Sequence, residues 1–323
     1  YSRTASNDDD LPRSITLHGA ATLSVEDGAY LDLCPNKTKY NSMNFTGTVE
    51  DEVVFKVKDS DISILNWTGT GKGLATLEDA TLRLGYLRSE DDSQVTGTFA
   101  GLKSVELKGD GLMVSASNFW SGSSSTKYHA WNRRAIIDPV LTGTGGITVT
   151  NQLSGKSVTY STSVVVTNGA NTATGVARAV ATASGAKTYL VFNDGANWAG
   201  TVVANEGLVL TNLTDGASAA SVAFGTLRLD SDFAIRVWKT GGAIVANDRI
   251  DISTAITGNG RIVLVGVDER IVAGDRIELG IIPANATLPV LKGGTLGTEA
   301  IPDDPDHVRL IATYGKGMLL LLR

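Results

Sequence analysis

Acid/base chemistry on this chain would start from the carboxylate pairs Asp91-Asp92 and Asp303-Asp304. Glycoside hydrolysis needs two carboxyls facing each other across a cleft, and β-elimination needs a base beside a cation-binding acidic group. Each pair here lies in a turn-like stretch next to Ser or Pro, where paired acids are solvated surface. The three histidines, His18, His129 and His307, are widely separated and match no metal-ligand spacing. Asp8-Asp9-Asp10 lacks the interleaved glycine and distal glutamate of a calcium loop. Cys34 is the only cysteine, which excludes a disulfide within the chain and a Cys-based metal site, and it reads as a small buried hydrophobe. No catalytic residue, cofactor site or metal site is expected, and the chain is not read as an enzyme.

A different kind of chemistry is offered between Asn118 and Asp138. There Phe119, Trp120, Tyr128, His129, Trp131, Arg133 and Arg134 surround the Gly-Ser segment from Ser121 to Thr126. Aromatic rings beside arginines suit stacking on sugar rings or a subunit contact. The plainer reading is a long corner insertion, near 118–138, that folds its aromatics onto the flank of a scaffold. Phe119, Trp120, Tyr128, Trp131, Arg133 and Arg134 are therefore the candidate contact surface, with cell-surface glycans as its partner class. Asn-x-Thr sequons at Asn36, Asn44, Asn66, Asn212 and Asn285 arise readily in a Thr-rich chain and are read as corner asparagines.

The charge balance narrows the partners. A formal net charge of −6 with scattered Lys and Arg leaves no basic stripe, so nucleic acid is not expected. No apolar run approaches the ~20 residues that span a bilayer, so no transmembrane segment is expected. The chain begins at Tyr1 without an initiator Met, as removal of a secretory signal would leave it. An extracellular or cell-surface location is the expectation.

The elements that must carry these residues are short strands. Gly, Thr, Ser, Ala and Val are abundant, and Leu/Glu/Lys-rich helical stretches are absent. Residues 1–13 are polar and read as a flexible N-terminal arm. Alternating runs follow from Ser14 onward: Ala21 to Val25, Val53 to Val57, Ala80 to Leu84, Gly146 to Val149, Gly225 to Leu229, Arg249 to Ile252, Arg261 to Val265 and Arg276 to Leu279. Only Asn168 to Lys187, rich in Ala, has room for a helical turn or two. Thr-Gly-x-Gly recurs at Thr68, Thr142 and Thr257, and an Asn-aromatic-x-Gly-Thr-Val element at Asn44 and Asn197. Variable intervals between copies suit a solenoid, in which each rung touches only its neighbours and extra residues leave at corners. The expected fold is all-β, a right-handed parallel β-helix occupying 14–323 as one domain. Rungs of roughly 20–25 residues would give about 12–15 coils.

The stretch from Asn193 to Leu210, with Asn197-Trp198-Ala199-Gly200-Thr201-Val202 at its centre, resembles the β-helical passenger domains of bacterial autotransporters and their associated repeats. The segment from Gly225 to Leu288 is similar to the same repeats. The resemblance implies a right-handed parallel β-helix outside a bacterial cell and implies no catalytic residues. On this reading the function is structural: a self-assembling subunit of a surface fibre, forming a head-to-tail homo-oligomer through its solenoid ends. The apolar run Met318, Leu319, Leu320, Leu321 and Leu322 is the expected assembly edge. The alternative is a monomeric adhesin or carbohydrate-binding stalk, with a polysaccharide lyase or hydrolase ranked below it.

Overall fold

Val, Ile and Thr are stiff at Cβ and pack well on a pleated surface, and the chain places them in short runs punctuated by Gly, Asn and Asp. The consequence is a β-solenoid, all-β and mostly parallel, with no helix among the described residues. The structure, a computed structural model, describes residues 14–17, 22–28, 30–32, 44–47, 54–63, 66–69, 73–83, 94–99, 102–116, 132–151, 160–181 and 186–315. The expected N-terminal arm lies outside them. The chain forms two compact units, Tyr1–Val165 with Val180–Thr188, and Val166–Ala179 with Tyr189–Arg323.

In the first unit each rung supplies one strand to each of two parallel stacks. Ser14–Leu17, Asn44–Gly47, Asn66–Gly69, Gln94–Phe99 and Asn132–Ile137 form one stack. Thr22–Val25, Val54–Lys58, Gly73–Arg83, Leu102–Ala116 and Gly146–Asn151 form the other. The Asn-aromatic-Thr-Gly runs at Asn44 and Asn66 stack residue on residue, Phe45 over Trp67 and Gly47 over Gly69. Inward columns such as Val57, Leu77 and Leu107 are buried and in register, and each contributes roughly 1.5–3 kcal/mol of apolar burial. Rung lengths vary widely: the step from Val54 to its partner Leu74 is little more than half that from Val95 to Arg133.

The second unit is more regular. Val176 pairs with Thr201 and Thr201 with Thr226 at equal intervals, and Thr226 pairs with Ala255 at a slightly longer one. A second parallel stack places Phe233–Thr240, Arg261–Val267 and Val290–Lys292 side by side, Phe233 meeting Ile262 and Ile262 meeting Leu291. The steps from Val95 to Arg133 and from Thr226 to Ala255 are longer than the rung expected from the sequence, because corners absorb more chain than tight turns need. The coils are correspondingly fewer. The described part of the Ala-rich stretch is also not helical: Val176–Ala181 is a strand with Ala177 and Ala179 buried. Small side chains there serve close stacking rather than helix propensity.

The parallel pattern is broken twice in this unit. Phe233–Thr240 folds back through Gly241-Gly242 to pair antiparallel with Ala243–Asn247. At the C-terminal end Asp304–Tyr314 runs antiparallel between Arg276–Pro283 and Gly294–Ile301. Alternation with period two is the same in parallel and antiparallel strands, so the sequence pattern does not distinguish them.

Candidate functional site

Repetition of one rung on another depends on how the corners are held, and in the second unit they are held by Gly, Asn and Asp. Gly175, Gly200 and Gly225 recur at a constant interval and approach one another along the stack. A Cβ on Gly200 would run into the Gly175 and Thr174 carbonyl oxygens, and one on Gly225 into the Ala199 carbonyl oxygen. Trp198 is fully buried, and its indole N–H donates to the Gly175 carbonyl at 2.9 Å. The Asn-aromatic-x-Gly element thus joins a core anchor to the space a neighbouring backbone needs.

Amide and carboxylate side chains then bridge successive rungs. Asn171 Nδ2 donates to Asn197 O at 3.0 Å, Asn205 Nδ2 to Ala179 O at 2.7 Å and Asn247 Nδ2 to Glu278 O at 2.8 Å. Asp194 Oδ1 accepts from Ser221 N at 2.7 Å, and Asp251 Oδ1 accepts from Ile281 N at 2.9 Å. These bonds satisfy corner backbone groups that have left the sheet ladders.

Three ionic ties were not visible in the sequence. The Asp248 carboxylate, only 2% exposed, accepts from Ala220 N at 2.9 Å and from Arg236 N, Nε and Nη2 at 3.2, 2.8 and 3.0 Å. The Arg236 guanidinium also lies 4.8 Å from the centre of the Trp238 ring. Lys239, whose side chain is 3% exposed, meets Asp275 Oδ2 at 2.6 Å, while that oxygen also accepts from Val272 N at 2.7 Å. Asp232 accepts from Arg261 and from Lys292, and so spans three consecutive rungs of one stack. Hydrogen bonding from Arg261 first, then from Lys292, holds the Asp232 carboxyl below its ordinary range. The only sequence signal for these ties is an acid or base beside each strand start, a pattern shared with solvated corners.

Most of the expected contact surface lies outside the described residues: Phe119, Trp120, Tyr128 and Trp131 fall there. Arg133 and Arg134 belong to the strand Asn132–Ile137 and pair with Val95 and Thr96. Arg134 is half-buried, and burial lowers the pKa of its guanidinium. The expected assembly edge, Met318 to Leu322, also lies outside the described residues, as do Cys34, Asp91, Asp92, His18 and His129. Asp303 sits in the turn before Asp304–Tyr314, and Asp304 accepts from His307 Nδ1 at 3.1 Å, which lowers the Asp304 pKa. Asn285 is exposed in a turn following Pro283, and Asn212 Oδ1 accepts from Thr214 N. Among the described residues no group of three His, Cys, Asp or Glu side chains could hold a metal ion, and no helix is long and apolar enough to cross a membrane.

Among the described residues nothing pairs with the outer side of Ser14–Leu17 and Thr22–Val25, or of Val290–Lys292 and Gly294–Ile301. Val290 is 62% exposed, and Gly297 to Ala300 are exposed in sequence. No family model, no curated protein and no solved structure matches the chain.

Proposed function

We propose that this chain is an extracellular structural subunit of a bacterial surface fibre, assembling end to end through its solenoid ends. The observation that carries the reading is the pair of open strand edges at the first and last described rungs. A rung edge offers a row of unpaired N–H and C=O groups, and another rung satisfies them. The likeness of the Asn197 and Gly225 repeats to autotransporter passenger repeats supports the cell-surface setting. Asn, Asp and Gly at the corners of the second unit hold rung to rung, which suits a mechanical role rather than a catalytic one.

Negative-stain electron microscopy with sedimentation over a concentration series tests this. Fibres that lengthen with concentration are expected. Monodisperse particles at every concentration would overturn it. Glycan-array binding by such particles, lost on Trp120→Ala and Trp131→Ala, would assign the scaffold to the adhesin reading instead.

A further inference from the structure

We infer that the fibre contact is a parallel strand pairing in which Gly294–Ile301 of one copy meets Thr22–Val25 of a second copy. This rests on the fibre reading above and names its partner strand and register. Direction is the first argument. Asn247 Nδ2 donates to Glu278 O and Asp251 Oδ1 accepts from Ile281 N, so Arg276–Pro283 runs in the same sense as Arg249–Gly258, and Gly294–Ile301, antiparallel like it to Asp304–Tyr314, keeps that sense. The inserted antiparallel strand therefore leaves the end of the stack polar. Chain order is the second argument. The last rung presents Val290–Lys292 and then Gly294–Ile301, and the first presents Ser14–Leu17 and then Thr22–Val25. The two strand pairs follow in the same order, so one edge can accept the strands of the other from another copy. None of Gly294–Ile301, Ser14–Leu17 and Thr22–Val25 contains the Lys or Pro that guards edge strands against pairing.

The register follows from burial and charge. Leu23 and Val25 are the more buried positions of Thr22–Val25, and Gly294 and Leu296 are those of the first half of Gly294–Ile301. A one-residue slip puts inward residues against outward ones and is excluded. Leu296 opposite Leu23 sets Glu26, one residue past the strand, against Glu299, a like-charge pair, and any further shift carries Leu296 beyond the strand, where Asp27 turns the chain at positive φ. Leu296 opposite Val25 avoids both. It places Ser24 beside Thr295, both exposed.

Single-cysteine proteins test this in a Cys34→Ser background. Ser24→Cys and Thr295→Cys are purified separately, mixed and oxidised. A disulfide-linked dimer that forms in the mixture and in neither protein alone is expected, with a ladder of covalent oligomers when one chain carries both. A Thr295→Cys homodimer would overturn the proposal in favour of tail-to-tail pairing. Fibres without either crosslink would overturn the pairing while leaving the fibre reading intact, and the absence of both fibres and crosslinks would remove both. A second partner reads the register: Ser24→Cys crosslinks to Thr295→Cys in preference to Gly297→Cys, which faces Ser24 when Leu296 lies opposite Leu23. Preferential crosslinking to Gly297→Cys would overturn the register.

Discussion

The two units solve the same stacking problem in different ways. In the first, consecutive corners use Asp27, Asp59 and Asp79, all exposed and all at positive φ, Asp79 Oδ1 accepts from Asp110 N at 2.7 Å, and Lys58 and Glu78 pair at the surface. Its rungs differ widely in length, from the short step between Val54 and Leu74 to the long one between Val95 and Arg133. In the second, the corners are built inward, on the Gly175, Gly200 and Gly225 column, the Asp248 carboxylate and the Lys239–Asp275 pair. Here the steps from Val176 to Thr201 and from Thr201 to Thr226 are equal, and the next, to Ala255, is only slightly longer. A solenoid corner that only turns the chain tolerates inserted residues. The equal steps follow the repeated glycine column, where Gly200 and Gly225 each leave room for the backbone of the rung beside them.

That contrast can be broken in measurable steps. Asp248→Ala strands Arg236 and two backbone N–H groups, and costs about 3–5 kcal/mol as a broken buried pair does. Glu78→Ala in the first unit, removing a half-exposed partner of Lys58, leaves the unfolding midpoint unchanged. Hydrogen exchange followed by mass spectrometry locates each effect, and equal loosening by both variants would dissolve the distinction. Gly225→Ala comes next: the added carbon meets the Ala199 carbonyl, and the cost lies near the top of the ~1–3 kcal/mol range for overpacking. Trp198→Phe keeps most of the buried ring and removes the indole donor from the Gly175 carbonyl, which still accepts from Thr201 N, for a loss of about 0.5–1.5 kcal/mol by denaturant unfolding. Gly28→Ala in the first unit meets open space and carries only the left-handed backbone term, about 1–2 kcal/mol.

The smallest expected effect is that of pH on the exposed Asp232 cluster. Its carboxyl pKa is lowered from 3.8 in the folded protein. The associated stability is therefore fully present above that ordinary value and is lost as pH falls through the folded one. Between pH 7 and pH 5 the protection of Phe233, Ile262 and Leu291 relative to intrinsic exchange stays constant, and it falls only in stronger acid. A fall already at pH 5 would mean that another group controls this stack.

Much of this fold was legible in the residues. Gly225 to Leu229, Arg249 to Ile252, Arg261 to Val265 and Arg276 to Leu279 all read as strands and lie within strands. Asn197 to Val202 reads as a repeat, and its Trp and Gly are what hold the rungs together. What stayed hidden was pairing at a distance. Nothing in Gly294 to Tyr314 marks it as antiparallel, and nothing beside Asp248 marks it as a buried acceptor rather than a solvated corner acid. The edge expected from sequence, Met318 to Leu322, rests on apolarity. The edge that the described fold leaves open, Gly294–Ile301, mixes Gly, Thr and Glu with Leu, Ala and Ile, because an edge is defined by unpaired backbone and not by side-chain hydropathy.

Hydrogen exchange across a concentration series tests the end-pairing claim most directly. Protection of Thr22–Val25 and Gly294–Ile301 should rise together as the protein is concentrated, while the interior strand Ser221–Leu229 stays unchanged. If both end strands exchange at the same rate from the most dilute to the most concentrated sample, the ends do not pair and the account is wrong.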